Sequence, residues 1–426
     1  MKRILKGDDV DQTSGPLKTH SRSANILLIA GILLIAVNLR PALASVGPLI
    51  EDIRQSTGLS SSLLGLLTTL PLIAFGVVST FTPLLTRRLG IGGAMLGAMG
   101  LLAIGCGVRS LESIPALYLG TLLLGIAIAI GNVLLPSIAK SKFASHSGFI
   151  TSLYSSGMGL GAALAAGLSI PLAHDFGLGW RGSLGVWAIP AMLACVVWFP
   201  QLRLLKRSQH SRSFQQALKD LGASTLAWQV ALFMGLQSMT FYVVLAWLPA
   251  ILMNRGYDAA YSGWMLSLSQ ATGIVGSLII PTIAGTRQDQ RGIVVGLFVV
   301  EVIGIAGLLL PALGWVELWV SVIGFVLGGS FGLALLFIVV RSADTETATE
   351  LSGMAQSIGY LVAATGPTLF GSLYDLTRSW TYGLLFLLVI AVIKLMMGVG
   401  AGKARTLGVV ENAADSIAKV EPLNNQ

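Results

Sequence analysis

This chain of 426 residues is short of electrical charge, since only 11% of its residues are Asp, Glu, Lys or Arg. Soluble domains carry about 25% charged residues, and disordered chains carry more. Hydrophobic residues make up 54% of the chain, and the mean hydropathy is +0.80. A soluble globular fold and a disordered chain are therefore excluded, and the composition predicts an integral membrane protein whose surroundings are mostly lipid.

Side chains suited to catalysis or metal binding are equally scarce. The chain has two cysteines, Cys106 and Cys195, and they lie in separate apolar runs. No nucleotide-binding Gly-x-x-x-x-Gly-Lys-Ser/Thr and no His-Glu-x-x-His occurs in the sequence, and no serine-centred elbow points to an intramembrane enzyme. We therefore expect no enzymatic activity, no resident cofactor and no metal site, and we do not expect this chain to use ATP.

Long apolar segments dominate what remains. A spanning helix needs about 20 mainly apolar residues to cross about 30 Å of hydrocarbon, and this template predicts an all-α membrane protein with twelve transmembrane helices. The predicted spans are 25–48, 60–84, 90–108, 114–139, 147–171, 182–200, 225–252, 260–285, 292–311, 316–340, 350–374 and 380–402. They form two six-helix bundles, 25–200 and 225–402, with polar segments at 1–24, 201–224 and 403–426.

The basic residues fix the expected orientation. Near the ends of the predicted spans, sixteen Lys and Arg residues fall on one side of the membrane and five on the other. Basic loops favour the cytoplasm, so we expect a multi-pass inner-membrane protein with both termini inside. The same bias explains the net charge of +8 without a nucleic-acid partner. A cleaved signal peptide is the alternative, because Ala42 and Ala44 have cleavage-site spacing, but Arg40, Pro41 and the long polar leader argue against it.

The two halves of the chain resemble each other when the sequence is shifted by 200 residues. Asp175 then aligns with Asp375, and Trp180 aligns with Trp380. A parallel repeat of six helices predicts two pseudo-symmetric halves related by an axis along the membrane normal, which is the major facilitator arrangement. In that arrangement the substrate binds between the halves, near the middle of the membrane.

Several short motifs carry a more specific resemblance. They are Asn38-Leu-Arg-Pro41 with Ser45-Val-Gly-Pro48, Gly131-Asn-Val-Leu-Leu-Pro136, Gly235-Leu-Gln-Ser238 with Ala246-Trp-Leu-Pro249, and Leu351-Ser-Gly-Met-Ala-Gln-Ser-Ile-Gly-Tyr360 with Gly366-Pro367. The segment Pro83-Leu-Leu-Thr-Arg-Arg-Leu-Gly90 is similar to a degenerate form of the superfamily's basic loop, with Thr86 in place of the usual Asp and Pro83 in place of the usual Gly.

These motifs resemble the cyanate permease and 2-nitroimidazole transporter family of the major facilitator superfamily, from about residue 25 to 402. The resemblance implies a transporter that works by alternating access on a small anion or a compact polar heterocycle. It implies little about which compound is carried. We expect a monomer whose partners are a small-molecule substrate and the lipid bilayer.

Arg40 is the strongest candidate for contact with the substrate. It follows Asn25 by fifteen residues, which places it about 22 Å along the first span. An arginine at this depth costs about 2.5–3.5 kcal/mol to insert, so it is expected to face a polar cavity. A guanidinium offers a permanent charge and five fixed donors, which suits an anion or a polar ring. The alternatives are that Arg40 extends to the outer interface or pairs with carbonyls freed by Pro41.

Other polar side chains lie on the spans expected to line the cavity. Gln356 and Tyr360 are four residues apart and share one helix face. Each polar residue could instead form an interhelical hydrogen bond worth about 0.6 kcal/mol. The predicted substrate-binding residues are Arg40, Asn132, Tyr154, Gln237, Tyr242, Gln270, Gln356 and Tyr360.

Two further charges, Glu301 and Lys394, lie inside predicted spans at the periphery of the fold. A mutual pair is one interpretation, and the other is that Lys394 extends to the cytoplasmic interface. Glu301 is the only acidic residue deep in a predicted span, and all four histidines lie outside the spans. The sequence therefore gives no support for proton coupling through a buried relay.

Two other functions remain open at this point. One is a drug or metabolite exporter of the same fold with broader specificity, since the direction of transport cannot be read from these residues. The other is a membrane sensor that binds its ligand without moving it, against which we expect neither tail to hold a signalling domain.

Overall fold

A computed structural model describes residues 22–59, 61–203 and 214–407. Most of the predicted polar tails and the middle of the predicted central loop, residues 1–21, 204–213 and 408–426, lie outside the described residues. The described chain is almost entirely helical. Its α-helices are α1 (Arg22–Asn38), α2 (Pro41–Ala44), α3 (Ile50–Thr57), α4 (Ser61–Arg109), α5 (Ile114–Phe143), α6 (Ser147–Ala173), α7 (Gly179–Gly185), α8 (Ala188–Trp198), α9 (Phe214–Ala223), α10 (Thr225–Asn254), α11 (Ala259–Gly285), α12 (Arg291–Leu309), α13 (Val316–Val340), α14 (Thr345–Thr377) and α15 (Trp380–Ala401).

Nine segments of the described chain are long and apolar enough to cross a membrane. Two of them, Leu66–Arg109 with 44 residues and Ile114–Ala173 with 60 residues, have the length of two crossings each. Helix α14 has 33 residues and is also long enough, but it carries many polar side chains. Those between Thr347 and Tyr360 are buried against other helices, so α14 meets lipid over only part of its surface.

Helix α4 combines the second and third predicted spans. At 1.5 Å per residue, its 49 residues would extend about 74 Å, which is far more than one crossing needs. The run is broken at Gly90, whose backbone has φ of 72° and ψ of 166°. Only glycine adopts this conformation readily, so Gly90 separates the two crossings at the loop expected from the sequence.

The first predicted span is interrupted rather than continuous. Pro41 has no N–H to donate to the carbonyl of Val37, and its ring clashes with that carbonyl. Helix α1 therefore ends at Asn38, and α2 begins at Pro41. The carbonyl oxygen of Val37 lies instead against Gly161 of α6, where an added Cβ atom would come within 2.1 Å of it. A glycine at this position therefore lets the two helices approach at the bend.

Two short helices lie where the sequence analysis predicted polar connections. Helix α3 buries Leu49 and Ile53 at its start, and α9 buries Ala217 and Leu221. Each pair is four residues apart, so it forms one apolar stripe. These stripes are too short to be distinguished from loops by apolar periodicity, which is why the prediction omitted them.

The first half of the molecule (α1–α8) and the second half (α10–α15) meet mainly through two helix pairs, α4 with α14 and α6 with α11, and α5 and α13 also take part in the contact between the halves. One end of the molecule carries Arg87, Lys140 and Arg287. We call it the basic end, and we call the other end of the molecule the opposite end. At the basic end, Arg87 forms ion pairs with Glu346 at 3.6 Å and Glu350 at 3.4 Å. These bridges join α4 to the start of α14.

Helices α6 and α11 approach even more closely at the basic end. A Cβ atom added to Gly285 would lie 2.4 Å from the Cα atom of Gly148, so neither position has room for a side chain. The hydroxyls of Ser152 and Thr282 lie 2.8 Å apart, one turn further along. Small residues thus bring the two halves into direct contact.

The same helix faces are exposed toward the opposite end. On α14, Thr365 and Thr368 are exposed, although Glu350 on the same helix is buried. On α6, Ala163 and Gly167 are exposed, and on α11, Ser267 and Ala271 are exposed. The halves therefore touch at the basic end and leave a cleft between them at the opposite end.

Candidate substrate site between the two halves

The break between α1 and α2 holds Arg40 in place. The side-chain amide of Asn38 donates to the carbonyl oxygens of Leu34 at 2.7 Å and Pro190 at 3.1 Å, which anchors the end of α1. The carbonyl of Arg40 accepts from the N–H of Ala44 at 3.0 Å, which starts α2. The backbone of Arg40 is therefore fixed on both sides of the bend.

The Arg40 side chain contacts the second half of the protein. Its guanidinium lies close enough to the hydroxyls of Tyr242 on α10 and Tyr360 on α14 to interact with both electrostatically. Its Cζ atom also lies 5.4 Å from the centre of the Phe331 ring on α13, within the range of a cation–π interaction. These contacts favour a cavity-facing role for Arg40 over the alternatives of reaching the outer interface or capping carbonyls freed by Pro41.

Tyr360 connects Arg40 to two more helices of the first half. The side-chain nitrogen of Asn132 on α5 donates to the Tyr360 hydroxyl at 3.3 Å. The ring of Phe75 on α4 is tilted by 53° against the Tyr360 ring, with 4.9 Å between their centres. Residues from six spans thus meet at Arg40 and Tyr360, between the closed basic end and the open cleft.

Comparisons with known proteins agree with this architecture. A family model described as Major Facilitator Superfamily matches residues 27–367. The chain belongs to this superfamily. Its members are transporters and not enzymes, so the chain is a multi-pass membrane transporter with the twelve-helix, two-half fold predicted from the sequence.

Individual relatives narrow the placement within the superfamily. The chain is 42% identical to the uncharacterized transporter YycB of Bacillus subtilis, over 92% of this chain and 97% of the relative. It is 38% identical to the 2-nitroimidazole transporter of Escherichia coli, over 90% of this chain and 97% of that relative. It is 29% identical to the cyanate transport protein CynX of the same organism, over 82% of this chain and 90% of CynX. The predicted resemblance to the cyanate and 2-nitroimidazole transporter family is therefore confirmed.

Solved structures of the superfamily share the fold at low sequence identity. The transporter FucP in its outward conformation aligns with a TM-score of 0.69 at 14% identity, over 88% of this chain and 99% of FucP. The proton:xylose symporter XylE aligns with a TM-score of 0.68 at 15% identity, over 90% of this chain and 97% of XylE. At these identities the likeness establishes the fold alone.

Two amide oxygens beside Tyr360 are buried without a partner. Gln356 lies one turn before Tyr360 on α14 and is 1% exposed, and Asn132 is 3% exposed. Neither the Oε1 atom of Gln356 nor the Oδ1 atom of Asn132 accepts a hydrogen bond from the described residues. Both are buried acceptors that find no donor in the described part of the chain, close to the contact between Asn132 and Tyr360.

The other predicted site residues have no direct contact with Arg40 among those described. The amide of Gln237 donates to the carbonyl of Met234 at 3.1 Å and to the hydroxyl of Ser238 at 2.7 Å, within α10. Tyr154 is fully buried in the hydrophobic core to which both halves contribute. Gln270 is half-buried on α11. The structure thus brings together Arg40, Asn132, Tyr242 and Tyr360, with Gln356 adjacent, whereas Gln237, Tyr154 and Gln270 have no described contact with Arg40.

Sequence reasoning missed the aromatic walls of the site and the role of Arg109. Phe75 and Phe331 sit in apolar runs, where a phenylalanine gives no signal that separates a cavity from lipid. Arg109, which directly follows the predicted span 90–108, is 1% exposed. It donates to the carbonyls of Ala42 at 2.6 Å and Leu184 at 3.2 Å. Arg109 therefore supports α2 from the opposite end, close to the bend that positions Arg40.

The embedded charges of the second half form a pair. The Nζ atom of Lys394 on α15 lies 2.7 Å from the Oε1 atom of Glu301 on α12, and both side chains are buried. The alternative that Lys394 extends to the cytoplasmic interface is therefore wrong. A paired ammonium in a dry interior is less costly than a lone one.

Proposed function

We propose that this protein carries a small anion or a compact polar heterocycle across the inner membrane by alternating access, and that the substrate binds at Arg40. The observation that carries the proposal is the contact of Arg40 in the first half with Tyr242 and Tyr360 in the second. The names of two relatives, the 2-nitroimidazole transporter and the cyanate transport protein, support this choice of substrates.

The electrostatics at Arg40 favour an anion or an electron-rich group. Tyrosine hydroxyls are uncharged at neutral pH, since their ordinary pKa is about 10, and phenylalanine carries no charge. The described neighbours of Arg40 therefore do not neutralise its charge. A ligand oxygen or ring nitrogen with high electron density would supply the missing negative potential in a site of low dielectric constant.

The packing of the halves supports an alternating-access cycle. We assign the basic end to the cytoplasm from the positive-inside rule, with both termini on that side and residues 25–200 and 225–402 as the two moving bodies. The described arrangement then corresponds to an outward-open state, in which Gly148 and Gly285 close the cytoplasmic side. Substrate would enter from the opposite end, reach Arg40, and leave after the basic-end contacts separate. The working unit is proposed to be a monomer that binds no nucleic acid.

The test is substrate counterflow in proteoliposomes with labelled 2-nitroimidazole and, separately, labelled cyanate. A hydrogen bond to a charged group contributes about 1.5–3 kcal/mol. Arg40→Gln is therefore expected to weaken binding by about 10- to 100-fold and to abolish counterflow at low substrate concentration. Arg40→Lys, which keeps the charge but loses the planar fork, is expected to be impaired as well.

Arg88→Gln is the matched control, because Arg88 is exposed at the basic end and away from the site. Counterflow by Arg40→Gln at the rate of Arg88→Gln would refute the role of Arg40. Binding without any counterflow in the wild-type protein would instead identify a sensor.

A further inference from the structure

Near Tyr360, the side-chain amide oxygens of Asn132 and Gln356 are buried hydrogen-bond acceptors without a donor among the described residues. The Tyr360 hydroxyl oxygen accepts from the side-chain nitrogen of Asn132 at 3.3 Å, and the Arg40 guanidinium lies close to the same hydroxyl. This orientation of the Asn132 amide turns its oxygen, Oδ1, away from Tyr360 and leaves it without a partner. The Oε1 atom of Gln356, one helical turn from Tyr360, is in the same condition.

We infer that Asn132 and Gln356 are specificity-determining residues that select substrates with an N–H or O–H donor, and that they discriminate against donor-free anions. This inference rests on the proposed function, because it assigns a role to two residues of the same site. The favoured ligand is a planar heteroaromatic ring that has a ring N–H beside an electron-rich group. Its electron-rich group would face Arg40, and its N–H would face one of the two amide oxygens.

Burial makes the unpaired oxygens effective selectors. Most buried polar atoms in native proteins are hydrogen-bonded, and an exception calls for an explanation. Asn132 and Gln356 are 3% and 1% exposed, so these oxygens have lost their hydration without gaining a partner. A ligand with a donor recovers that loss, whereas a donor-free ion such as cyanate leaves the oxygen unpaired and also excludes water.

The aromatic side chains around the site favour a flat ligand. Phe75 packs on the Tyr360 ring, and Phe331 lies against Arg40. Phe75 comes from the first half and Phe331 from the second. Aromatic rings make favourable offset or edge contacts with other rings at centre distances of about 4.5–7 Å. A ring compound would gain these contacts, and a linear three-atom ion would not.

The experiment measures binding of four probes to the purified full-length protein. The probes are 2-nitroimidazole, its N-methyl derivative, its C-methyl derivative and cyanate. The two methyl compounds have the same added bulk, but only the C-methyl compound keeps the N–H. The proteins are wild type, Asn132→Leu, Gln356→Leu, the double variant and Gln201→Leu. Gln201 is a matched control, because it is also a buried glutamine whose amide makes no hydrogen bond within the described chain, at the turn after α8.

Loss of the N–H is expected to weaken binding to the wild type by about tenfold or more, relative to the C-methyl compound. In the double variant this ratio should fall toward one, while Gln201→Leu should keep it. Cyanate should bind the wild type less tightly than 2-nitroimidazole. If the double variant does not fold, the two single variants and the wild-type ratio decide the question.

Two other outcomes have distinct meanings. Equal binding of both methyl compounds to the wild type, with binding lost in Arg40→Gln, would overturn the role of Asn132 and Gln356 and leave the proposed function intact. If none of the four probes binds the wild type or drives counterflow, the proposed function fails, and the inference fails with it.

Discussion

The buried ion pair between Glu301 and Lys394 gives a quantitative test of what stabilises the second half. The Nζ atom of Lys394 lies 2.7 Å from Oε1 of Glu301, and the other carboxylate oxygen, Oε2, has no partner among the described residues. Glu301 is 2% exposed and Lys394 is 4% exposed. Neither group can therefore turn to water if its partner is removed.

Breaking the pair from one side should be costly. Lys394→Met leaves a buried carboxylate with neither counter-ion nor solvent, and such changes cost about 3–5 kcal/mol. Replacing both groups, as in Glu301→Leu with Lys394→Met, removes both charges and keeps similar volume. Such double replacements are often neutral or stabilising by about 1–4 kcal/mol. We therefore expect the double variant to be more stable than either single variant.

The free energy of unfolding can be measured by denaturant titration in mixed micelles, followed by tryptophan fluorescence. Lys403→Met is the control, because Lys403 is exposed just after α15, and its loss should change stability by less than about 0.5 kcal/mol. If Lys394→Met destabilises the protein no more than Lys403→Met does, the pair is not buried as described. A double variant as unstable as the sum of the single variants would show that the two side chains do not interact.

Two more predictions concern closure of the basic end, measured as the distance between spin labels on the two halves. Gly285→Val should shift the population toward separation of the basic end, because a Cβ atom there would lie 2.4 Å from Gly148. Gly97→Val should leave the population unchanged, since a Cβ atom at Gly97 meets no atom within 4 Å. Arg87→Gln removes the charge that faces Glu350 and should favour the separated form by about 1 kcal/mol, which is about fivefold. An unchanged label distance in Gly285→Val would contradict the closed contact between α6 and α11.

Much of the fold could be predicted because lipid imposes a simple condition on each span. A crossing segment must be long and apolar, which can be read residue by residue. The predicted spans therefore coincide closely with the helices, apart from the joined crossings around Gly90 and the interruptions within 25–48 and 182–200. The break at Pro41 was less visible, because a proline inside a spanning helix is often tolerated. Its effect here depends on Gly161, which lies on another helix and accommodates the carbonyl of Val37.

The candidate site was partly predictable for the same reason. An arginine in the middle of an apolar span is costly, so Arg40 could be singled out from its position alone. Neutral polar residues carry no such penalty, and many of them simply pair within their own helix. Gln237, which bonds to Met234 and Ser238, cannot be told apart from Gln356 by sequence. Phe331 gave no signal, because an aromatic ring suits lipid and cavity equally.

The sequence by itself determined that this protein is embedded in lipid, which segments cross the membrane, and which basic residue must avoid the hydrocarbon. These properties follow from the cost of transferring each side chain out of water, which is local to the residue. Only the tertiary structure decided that Arg40 meets Tyr242 and Tyr360, that Glu301 pairs with Lys394, and that two amide oxygens remain without donors. Those outcomes depend on how helices far apart in the chain pack and rotate against one another. No single segment determines that geometry.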